Sequence, residues 1–297
     1  MRFGLITPIV TQFPGRHAAW ERNAGAEELR RIAAAADRLG YHHLTCSDHV
    51  GIATNVAKVR GHTYYDPFST LGFFAAVTRR IRLVTHVLVL PYYHPLEVAK
   101  RLGTLDRLSG GRVIAGVGVG TLREEFELLG IDFEGRGERY EDALRALRAS
   151  LGKQRPEYHG SFYDFGDVII DPAAVQERLP LWIGGHTPRS LRRALLYGDG
   201  WDPFGLSHDQ LLTLLARARG WREWGERASP LELVLSPEEL FDLRTAPGRD
   251  AAQRAVDRYA DLGATILNVR FRHDSLDDYL EQLEVLSAQL DRPTQQS

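Results

Sequence analysis

The stretch IRLVTHVLVLPYYHPLEVAKRLGTLDRLSGGRVIAGVGVG, residues 81–120, decides the fold class of this chain. It opens with a run over residues 81–90 that is rich in Val and Leu, which predicts a buried β-strand. An amphipathic segment from about Pro95 to Leu108 predicts a helix that ends before Gly110. A second apolar run, Val113–Val119, predicts the next strand. Strands that alternate with helices in this way are typical of parallel pairing through crossovers.

The same alternation continues on both sides of this stretch and gives eight strand–helix units. Eight units in one chain predict a closed (β/α)8 barrel, the TIM barrel, within the α/β class. The predicted strands are Phe3–Thr7, Leu44–Ser47, Ile81–Leu90, Val113–Val119, Leu181–Ile183, Gly200–Pro203, Leu231–Leu235 and Thr265–Arg270. The predicted helices are Ala26–Leu39, Pro67–Arg79, Pro95–Leu108, Glu138–Leu151, Pro188–Tyr197, Gln210–Trp224, Arg249–Leu262 and Leu276–Leu290.

Two segments interrupt this alternation, and we interpret both as insertions into one domain that spans residues 1–297. Residues 121–137 follow the predicted fourth strand. Residues 156–170 are polar and aromatic, and they predict a hairpin before the fifth strand. A polar tail, residues 291–297, follows the last helix. No linker rich in Pro, Gly or Ser divides the chain, so one domain is expected.

Composition narrows the class of protein. The net charge is −2, which gives no reason to expect nucleic acid or an acidic membrane as a partner. Cys46 is the only cysteine, which excludes an internal disulfide and a thiolate metal cage. No apolar run is long enough to span a membrane, and the first residues lack a signal-peptide pattern. We therefore expect a cytoplasmic enzyme that acts on a small molecule.

Histidines are numerous, but their positions do not predict a metal site. The predicted first strand lacks the His-x-His pattern of metal-dependent barrel hydrolases. His42 and His43 precede the second strand, at the end of the barrel opposite the site. No metal is expected.

Three segments carry a family resemblance: LTCSDHV (residues 44–50), residues 81–120, and PLWIGGHTPRSLRRALLYGDGW (residues 180–201). Together they resemble the luciferase-like flavin and deazaflavin oxidoreductases, and residues 121–147 match that family's insertion after strand four. The resemblance implies a ring cofactor across the barrel mouth, either FMN or the deazaflavin coenzyme F420. Within the family, the chain is most similar to the F420-dependent branch. A homodimer is also implied.

A barrel of this kind places its site at the carboxyl ends of the strands. The loop after the fifth strand suits a phosphate, because glycines admit a close ligand and a helix N-terminus favours an anion. Arg189, Arg192 and Arg193 would oppose the helix dipole there unless an anion is bound. The alternative is an ordinary capped helix with solvated arginines. The predicted phosphate loop consists of Gly184, Gly185, His186 and Thr187.

The glycines at the end of the fourth strand form GVGVG, residues 116–120. They close a fourth strand and do not open the helix after a first strand, which argues against a nicotinamide Rossmann fold. We predict that Gly118, Gly120 and Thr121 contact the cofactor. Close strand packing at a barrel corner is the alternative explanation for the glycines.

His86 and Val87 lie inside the predicted third strand. The resemblance implies a bulge here, with a non-prolyl cis peptide between the two residues against the cofactor ring. The alternative is a regular buried strand in which His86 forms a hydrogen bond at the strand end.

His49 is the predicted catalytic residue. It follows the second strand, and histidine exchanges protons near neutral pH, so it can serve hydride transfer in either direction. Asp48, next to it, is predicted at the cofactor site, where it hydrogen-bonds the His49 ring or orients its neighbours. A purely structural Ser-Asp-His turn is the alternative.

One position departs from the family pattern. Related enzymes that oxidise sugar phosphates carry a glutamate where this chain has Thr121, and they carry a tryptophan shortly after the histidine that corresponds to His49. Their absence argues against sugar-phosphate oxidation. Arg123, Glu124 and Glu125 follow a few residues on, where any of them could reach cofactor or substrate, and a solvated helix face is the favoured expectation for the two glutamates. An aromatic cluster lies near the predicted mouth and could line a flat substrate pocket; core filling and dimer contact are equal alternatives. The cluster is Tyr64, Tyr65, Phe68, Tyr92 and Tyr93.

These observations favour an F420-dependent oxidoreductase that reduces an activated C=C or C=N bond. An FMN-dependent monooxygenase on the same scaffold is the second hypothesis. A barrel that binds a ligand without turnover is the third.

Overall fold

The computed structural model describes residues 1–290, so the predicted polar tail, residues 291–297, lies outside the described residues. Within residues 1–290, parallel strands pair in a ring, and β3 pairs with both β2 and β5 to close it. The closed (β/α)8 barrel is confirmed. The strands are β1 (Arg2–Leu5), β2 (His43–Cys46), β3 (Arg82–Thr85), β4 (Leu88–Val89), β5 (Val113–Gly118), β6 (Tyr158–His159), β7 (Asp164–Phe165), β8 (Leu181–Gly184), β9 (Gly200–Asp202), β10 (Glu232–Leu235) and β11 (Ile266–Val269).

Helices cover the outside of the barrel, and several begin with the same two devices. In α3 (Pro67–Val77), α4 (Pro95–Ser109), α7 (Pro188–Tyr197) and α10 (Ala246–Asp261), a proline stands in the first turn and a capping side chain accepts a backbone N–H. These caps are Asp66, His94, Thr187 and Thr245. The helices are α1 (Ala26–Arg38), α2 (Ala57–Arg60), α3 (Pro67–Val77), α4 (Pro95–Ser109), α5 (Arg123–Leu128), α6 (Arg136–Ser150), α7 (Pro188–Tyr197), α8 (His208–Ala218), α9 (Arg222–Gly225), α10 (Ala246–Asp261) and α11 (Leu276–Leu290).

Two predicted elements are divided in the structure. The third strand, predicted as continuous, is split into β3 and β4 at His86 and Val87, whose peptide bond is cis. The predicted bulge and cis peptide are therefore confirmed. The helix predicted over Gln210–Trp224 is wrong as one element, because Gly220 and extended backbone at Trp221 separate α8 from α9.

The two inserted segments have structure of their own. Residues 121–137 contain α5, and β6 pairs with β7 in an antiparallel hairpin inside residues 156–170. Asp142 of α6 docks the hairpin: its carboxylate accepts hydrogen bonds from the Tyr158 hydroxyl (2.7 Å) and the Phe162 amide (2.8 Å).

Alternating side chains divide the apolar residues into two cores. The larger core lies between the strands and the helices. A smaller cluster fills the barrel interior. His86 follows Val84 of this cluster by two positions, and Gly184 follows Trp182 in the same way. His86 and Gly184 therefore lie one layer nearer the carboxyl ends of the strands, where the site is expected. The interior cluster is Val84, Ile114, Trp182, Val234 and Ile266.

No helix within residues 1–290 combines the length and the apolarity that crossing a membrane requires.

Gly116 of β5 permits a close approach of β3. A Cβ at this position would lie 2.0 Å from the carbonyl oxygen of Thr85. The Thr85 hydroxyl also donates to the Gly116 carbonyl (2.7 Å) and accepts from its amide (3.0 Å). Thr85 is the last residue of β3, so this contact holds the end of β3 against β5.

We expect the substitution Gly116→Ala to lower the free energy of unfolding by about 1–3 kcal/mol, since its methyl group would overlap backbone that cannot rotate away. Gly72 of α3 is the matched control, because a Cβ there meets nothing within 4 Å. Gly72→Ala should instead raise the free energy of unfolding by about 0.5–1 kcal/mol. Urea denaturation measures both. Equal effects of the two substitutions would contradict the close approach of β3.

Candidate active site

His49 and Glu125 form the central contact of the barrel mouth. The Nδ1 atom of His49 lies 2.8 Å from Oε2 of Glu125, and the Glu125 side chain is only 2% exposed. The expectation that Glu125 lies on a solvated helix face is therefore wrong. The helix α5 turns Glu125 and Phe126 inward, whereas Glu124 keeps partial exposure.

The Glu125 carboxylate has several donors in addition to His49. Oε1 accepts the amide of Val50 (2.6 Å) and the amide of Gly51 (3.3 Å), while Oε2 accepts the Tyr92 hydroxyl (2.9 Å). Burial alone raises the pKa of Glu125, but the hydrogen bond and charge of His49 and these donors lower it on balance. The carboxylate is thus held in its ionised form at neutral pH.

The ionised form of Glu125 determines how the His49 ring is protonated. An ionised carboxylate only accepts hydrogen bonds, so Nδ1 of His49 must carry a hydrogen. Within residues 1–290, Nε2 of His49 has no hydrogen-bond partner, and the side chain is 19% exposed. Nε2 is therefore available to accept or donate a proton at the mouth.

Aromatic rings pack around this pair, from the cluster expected near the mouth. The Tyr64 ring meets the His49 ring edge-on, with centroids 4.4 Å apart. The Tyr92 ring packs against Phe126, with centroids 4.9 Å apart. These contacts limit the orientations open to His49 and exclude water from part of its surroundings.

Asp48 contacts the segment after the cis peptide, and not the His49 ring. Its carboxylate accepts the Val89 amide (2.9 Å) and the Tyr93 hydroxyl (3.0 Å). Burial raises the pKa of Asp48 to about 6, although both hydrogen bonds oppose the rise. Of the two predicted roles, the structure places Asp48 in the second, the orientation of its neighbours.

His86 faces the barrel interior. Its Nε2 lies 3.2 Å from Oδ2 of Asp202. This distance is short enough for an ion pair, but the angle between the two groups does not allow a hydrogen bond. Oδ1 of Asp202 accepts the side-chain amide of Asn268 (3.3 Å). Three strand positions therefore contribute polar groups beneath the mouth.

Val87 lies between two of the predicted site glycines. A Cβ at Gly118 would come 2.7 Å from Cγ2 of Val87, and a Cβ at Gly184 would come 2.8 Å from its Cγ1. Close packing accounts for both glycines, and direct cofactor contact at Gly118 and Gly184 stays a prediction. The absence of side chains at Gly118 and Gly184 leaves room for the Val87 side chain at the ends of β5 and β8.

The next predicted contacts lie toward α5. Gly120 has φ +78°, and a Cβ there would lie 2.6 Å from the Phe126 ring. Gly120 therefore allows α5 to pack against the end of β5. Thr121 is exposed beside it.

The predicted phosphate loop leads into α7 as expected. Thr187 is the N-cap, and its hydroxyl accepts the Ser190 amide (3.1 Å); Pro188 follows at the first helical position. Gly185 has φ +111°, a conformation that favours glycine. His186 is exposed and packs edge-on against Phe204.

The arginines of α7 are paired with carboxylates of the chain; Arg189 and Arg192 are also solvent-exposed, as the alternative of an ordinary capped helix expects, whereas Arg193 is buried. Arg193 and Arg189 both pair with Glu141 of α6, at 2.9 Å and 3.3 Å. Arg192 pairs with Glu223 at 3.4 Å. The charge conflict with the helix dipole is thus met by carboxylates of the chain itself, and it gives no argument for a phosphate.

The burial of Glu125 and its pairing with His49 are the main features of the site that the sequence analysis did not predict. The signal is visible in hindsight, since Leu122, Phe126 and Leu129 lie on one helical face. Glu125 stands three residues after Leu122 and four before Leu129, on that same apolar face. An acidic residue in an apolar stripe indicates a buried carboxylate with a specific partner.

Comparison with known proteins gives the chain relatives in both sequence and fold. A family model described as luciferase-like monooxygenase matches residues 1–290. An uncharacterised protein of Mycobacterium tuberculosis is 33% identical over 253 residues, which cover 81% of this chain and 84% of the relative.

Among solved structures, the monooxygenase RslO1 from Streptomyces bottropensis is similar with TM-score 0.76 and 22% identity, covering 98% of each chain. An F420-dependent secondary alcohol dehydrogenase in complex with an F420-acetone adduct has TM-score 0.71 and 14% identity, covering 96% of this chain and 97% of the other. The oxygenating constituent of 3,6-diketocamphane monooxygenase from Pseudomonas putida, in complex with FMN, has TM-score 0.70 and 16% identity, covering 97% of each chain.

At these identities, similarity to the solved structures supports the fold alone. The similar structures include an F420-dependent protein and a protein in complex with FMN. The family model, in contrast, matches the whole of the described barrel. The chain belongs to the luciferase-like monooxygenase family.

Proposed function

We propose that the chain is a coenzyme F420-dependent oxidoreductase that transfers hydride between the deazaflavin and a small organic substrate, reducing an activated C=C or C=N bond. The observation that carries the proposal is the His49–Glu125 pair, which leaves Nε2 of His49 available at the mouth. Reduction of such a bond requires one proton besides the hydride, and a histidine held in this way supplies it.

Residues at the mouth fit an anionic, flat cofactor. At the start of α7, the amides of His186 and Arg189 have no acceptor within residues 1–290, and the Thr187 hydroxyl retains its own hydrogen. These groups would hold a phosphate, and the segment at His86 and Val87 would support the ring. When bound, the deazaflavin supplies or accepts hydride and does not activate oxygen.

The residues of the chain would then manage the proton. In the reducing direction, protonated His49 donates from Nε2 to the substrate, and the Glu125 carboxylate stabilises the positive ring until the transfer. In the oxidising direction, the neutral ring accepts a proton at the same atom. The Tyr92 hydroxyl and the Val50 amide keep Glu125 ionised and in place throughout.

An FMN-dependent monooxygenase is the second candidate. The description of the family and the FMN-bound structural neighbour support it. A barrel that binds a ligand without turnover is less well supported, because a fully buried carboxylate paired with a partly exposed histidine is an arrangement suited to proton transfer.

Cofactor titration separates these candidates. Quenching of the protein fluorescence measures the Kd of each cofactor. We expect the Kd for F420 to be at least about tenfold lower than the Kd for FMN, a difference of about 1.4 kcal/mol. Tight binding of FMN alone would contradict the F420 proposal. Binding of neither cofactor would favour the barrel without turnover.

Kinetics of three variants test the proton-transfer role. We expect His49→Ala to lower kcat for the reduction of cyclohexenone by reduced F420 about 100-fold or more. Glu125→Gln, which keeps the shape but removes the charge, should lower kcat about 10-fold to 100-fold, the equivalent of one charge-assisted hydrogen bond. Both should leave the Kd for F420 unchanged.

Glu124→Gln is the matched control, because Glu124 precedes Glu125 in α5 but stays partly exposed. It should retain the parent kcat. Thermal unfolding of each variant checks that the barrel is intact. If Glu125→Gln and Glu124→Gln have the same kcat, Glu125 does not act through His49.

A further inference from the structure

Arg270 directly follows β11, and its neighbours fix the direction of its side chain. Asn268 points into the barrel, where it reaches Asp202. Phe271 points outward and packs edge-on against Tyr279 of α11, with centroids 5.6 Å apart. A parallel bridge between Phe271 and Phe241 extends the strand geometry past Val269. Because side chains alternate along a strand, Arg270 lies on the same side as Asn268, one layer nearer the mouth.

The Arg270 side chain is partly buried, yet it has no anionic partner. Within residues 1–290, no carboxylate forms an ion pair with it and no side chain or carbonyl accepts a hydrogen bond from it. Burial and the neighbouring cation Arg16 lower the pKa of Arg270 to about 10. Other buried arginines have hydrogen-bond acceptors: Arg148 pairs with Asp199 at 2.7 Å, Arg193 pairs with Glu141 at 2.9 Å, and Arg112, which has no carboxylate partner, donates to backbone carbonyls such as that of Ile81 at 2.9 Å.

An enclosed cation without a counterion is costly, and a bound anion would offset that cost. The planar guanidinium pairs in two-pronged fashion with a carboxylate or a phosphate. Arg16, whose Nη1 donates to the Glu238 carbonyl at 3.0 Å, adds a second positive charge at the same place. The chemistry of this corner of the mouth therefore favours an oxyanion.

The strand order indicates which oxyanion this is. The predicted phosphate loop follows β8, and β9 and β10 separate β8 from β11. At about 4.8 Å per strand spacing, the loop and Arg270 are roughly 14 Å apart along the rim. On the other side, β1 alone separates β11 from β2, which leads into His49, a span of roughly 10 Å. By strand spacing along the rim, β11 therefore lies nearer to β2, which leads to His49, than to β8.

We propose that the substrate carries an anionic group, a carboxylate or a similar oxyanion, and that Arg270 binds this group while His49 faces the reacting end. This inference rests on the proposed function for the identity of the reaction, but the anion site itself does not. It restricts the substrate class to acids of medium size whose reducible bond lies about 10 Å or less from the anionic end.

The test compares benzoate with benzamide, which have nearly the same shape and differ in charge. Binding of each to the full chain is measured by isothermal titration calorimetry. We expect benzoate to bind at least about tenfold tighter than benzamide, since only benzoate offers the guanidinium a charged hydrogen-bond acceptor. Arg270→Met should remove this preference, and Arg270→Lys should retain part of it.

Arg217→Met is the matched control, because Arg217 is an exposed arginine of α8. It should behave as the parent does. Equal affinities for benzoate and benzamide in the parent, or an unchanged preference in Arg270→Met with its thermal unfolding intact, would overturn the proposal.

F420 titration of Arg270→Met distinguishes the source of the anion. We expect its affinity for F420 to stay within about twofold of the parent value. A tenfold loss of F420 affinity would assign the anion to the cofactor and overturn the substrate proposal. If the parent prefers benzoate but does not bind F420, the anion site stands and the proposed function fails.

Discussion

A buried negative charge organises the mouth of this barrel. The Glu125 carboxylate joins α5, the loop after β2 and the segment after β4, because His49, Val50 and Tyr92 all donate to it. A buried charge is tolerated only where its hydrogen bonds are satisfied. Because the Glu125 carboxylate needs donors from all three segments, it holds these segments together. The same contacts fix the position of His49.

The packing of the strand ends positions His86 and Val87 at the mouth. Gly116 lets β3 approach β5 closely, and Gly118 and Gly184 leave room for the Val87 side chain. Asp48 holds the strand after the cis peptide through the Val89 amide. Most glycines of the predicted cofactor site thus act first on the packing of the chain itself. A bound ring would meet the surface that this packing creates.

Much of the fold follows from local patterns in the sequence. Apolar runs predict the strands, and proline with a preceding capping residue predicts the starts of helices such as α4 and α7. The site could be predicted only in part. His49 and the predicted phosphate loop stand at strand ends, so topology alone points to them. Glu125 meets His49 across a sequence separation of 76 residues, and Glu141 neutralises Arg193 across 52. Such pairings depend on how helices dock, which no local pattern records.

The state of the His49 ring tests the central claim most directly. Nitrogen-15 NMR of the uncomplexed protein, at a pH where the ring is neutral, reports which ring nitrogen carries the hydrogen. If Glu125 holds the ring as described, the hydrogen resides on Nδ1, and Glu125→Ala loses this preference. A hydrogen on Nε2 in the parent protein, or the same tautomer in both proteins, would contradict the account.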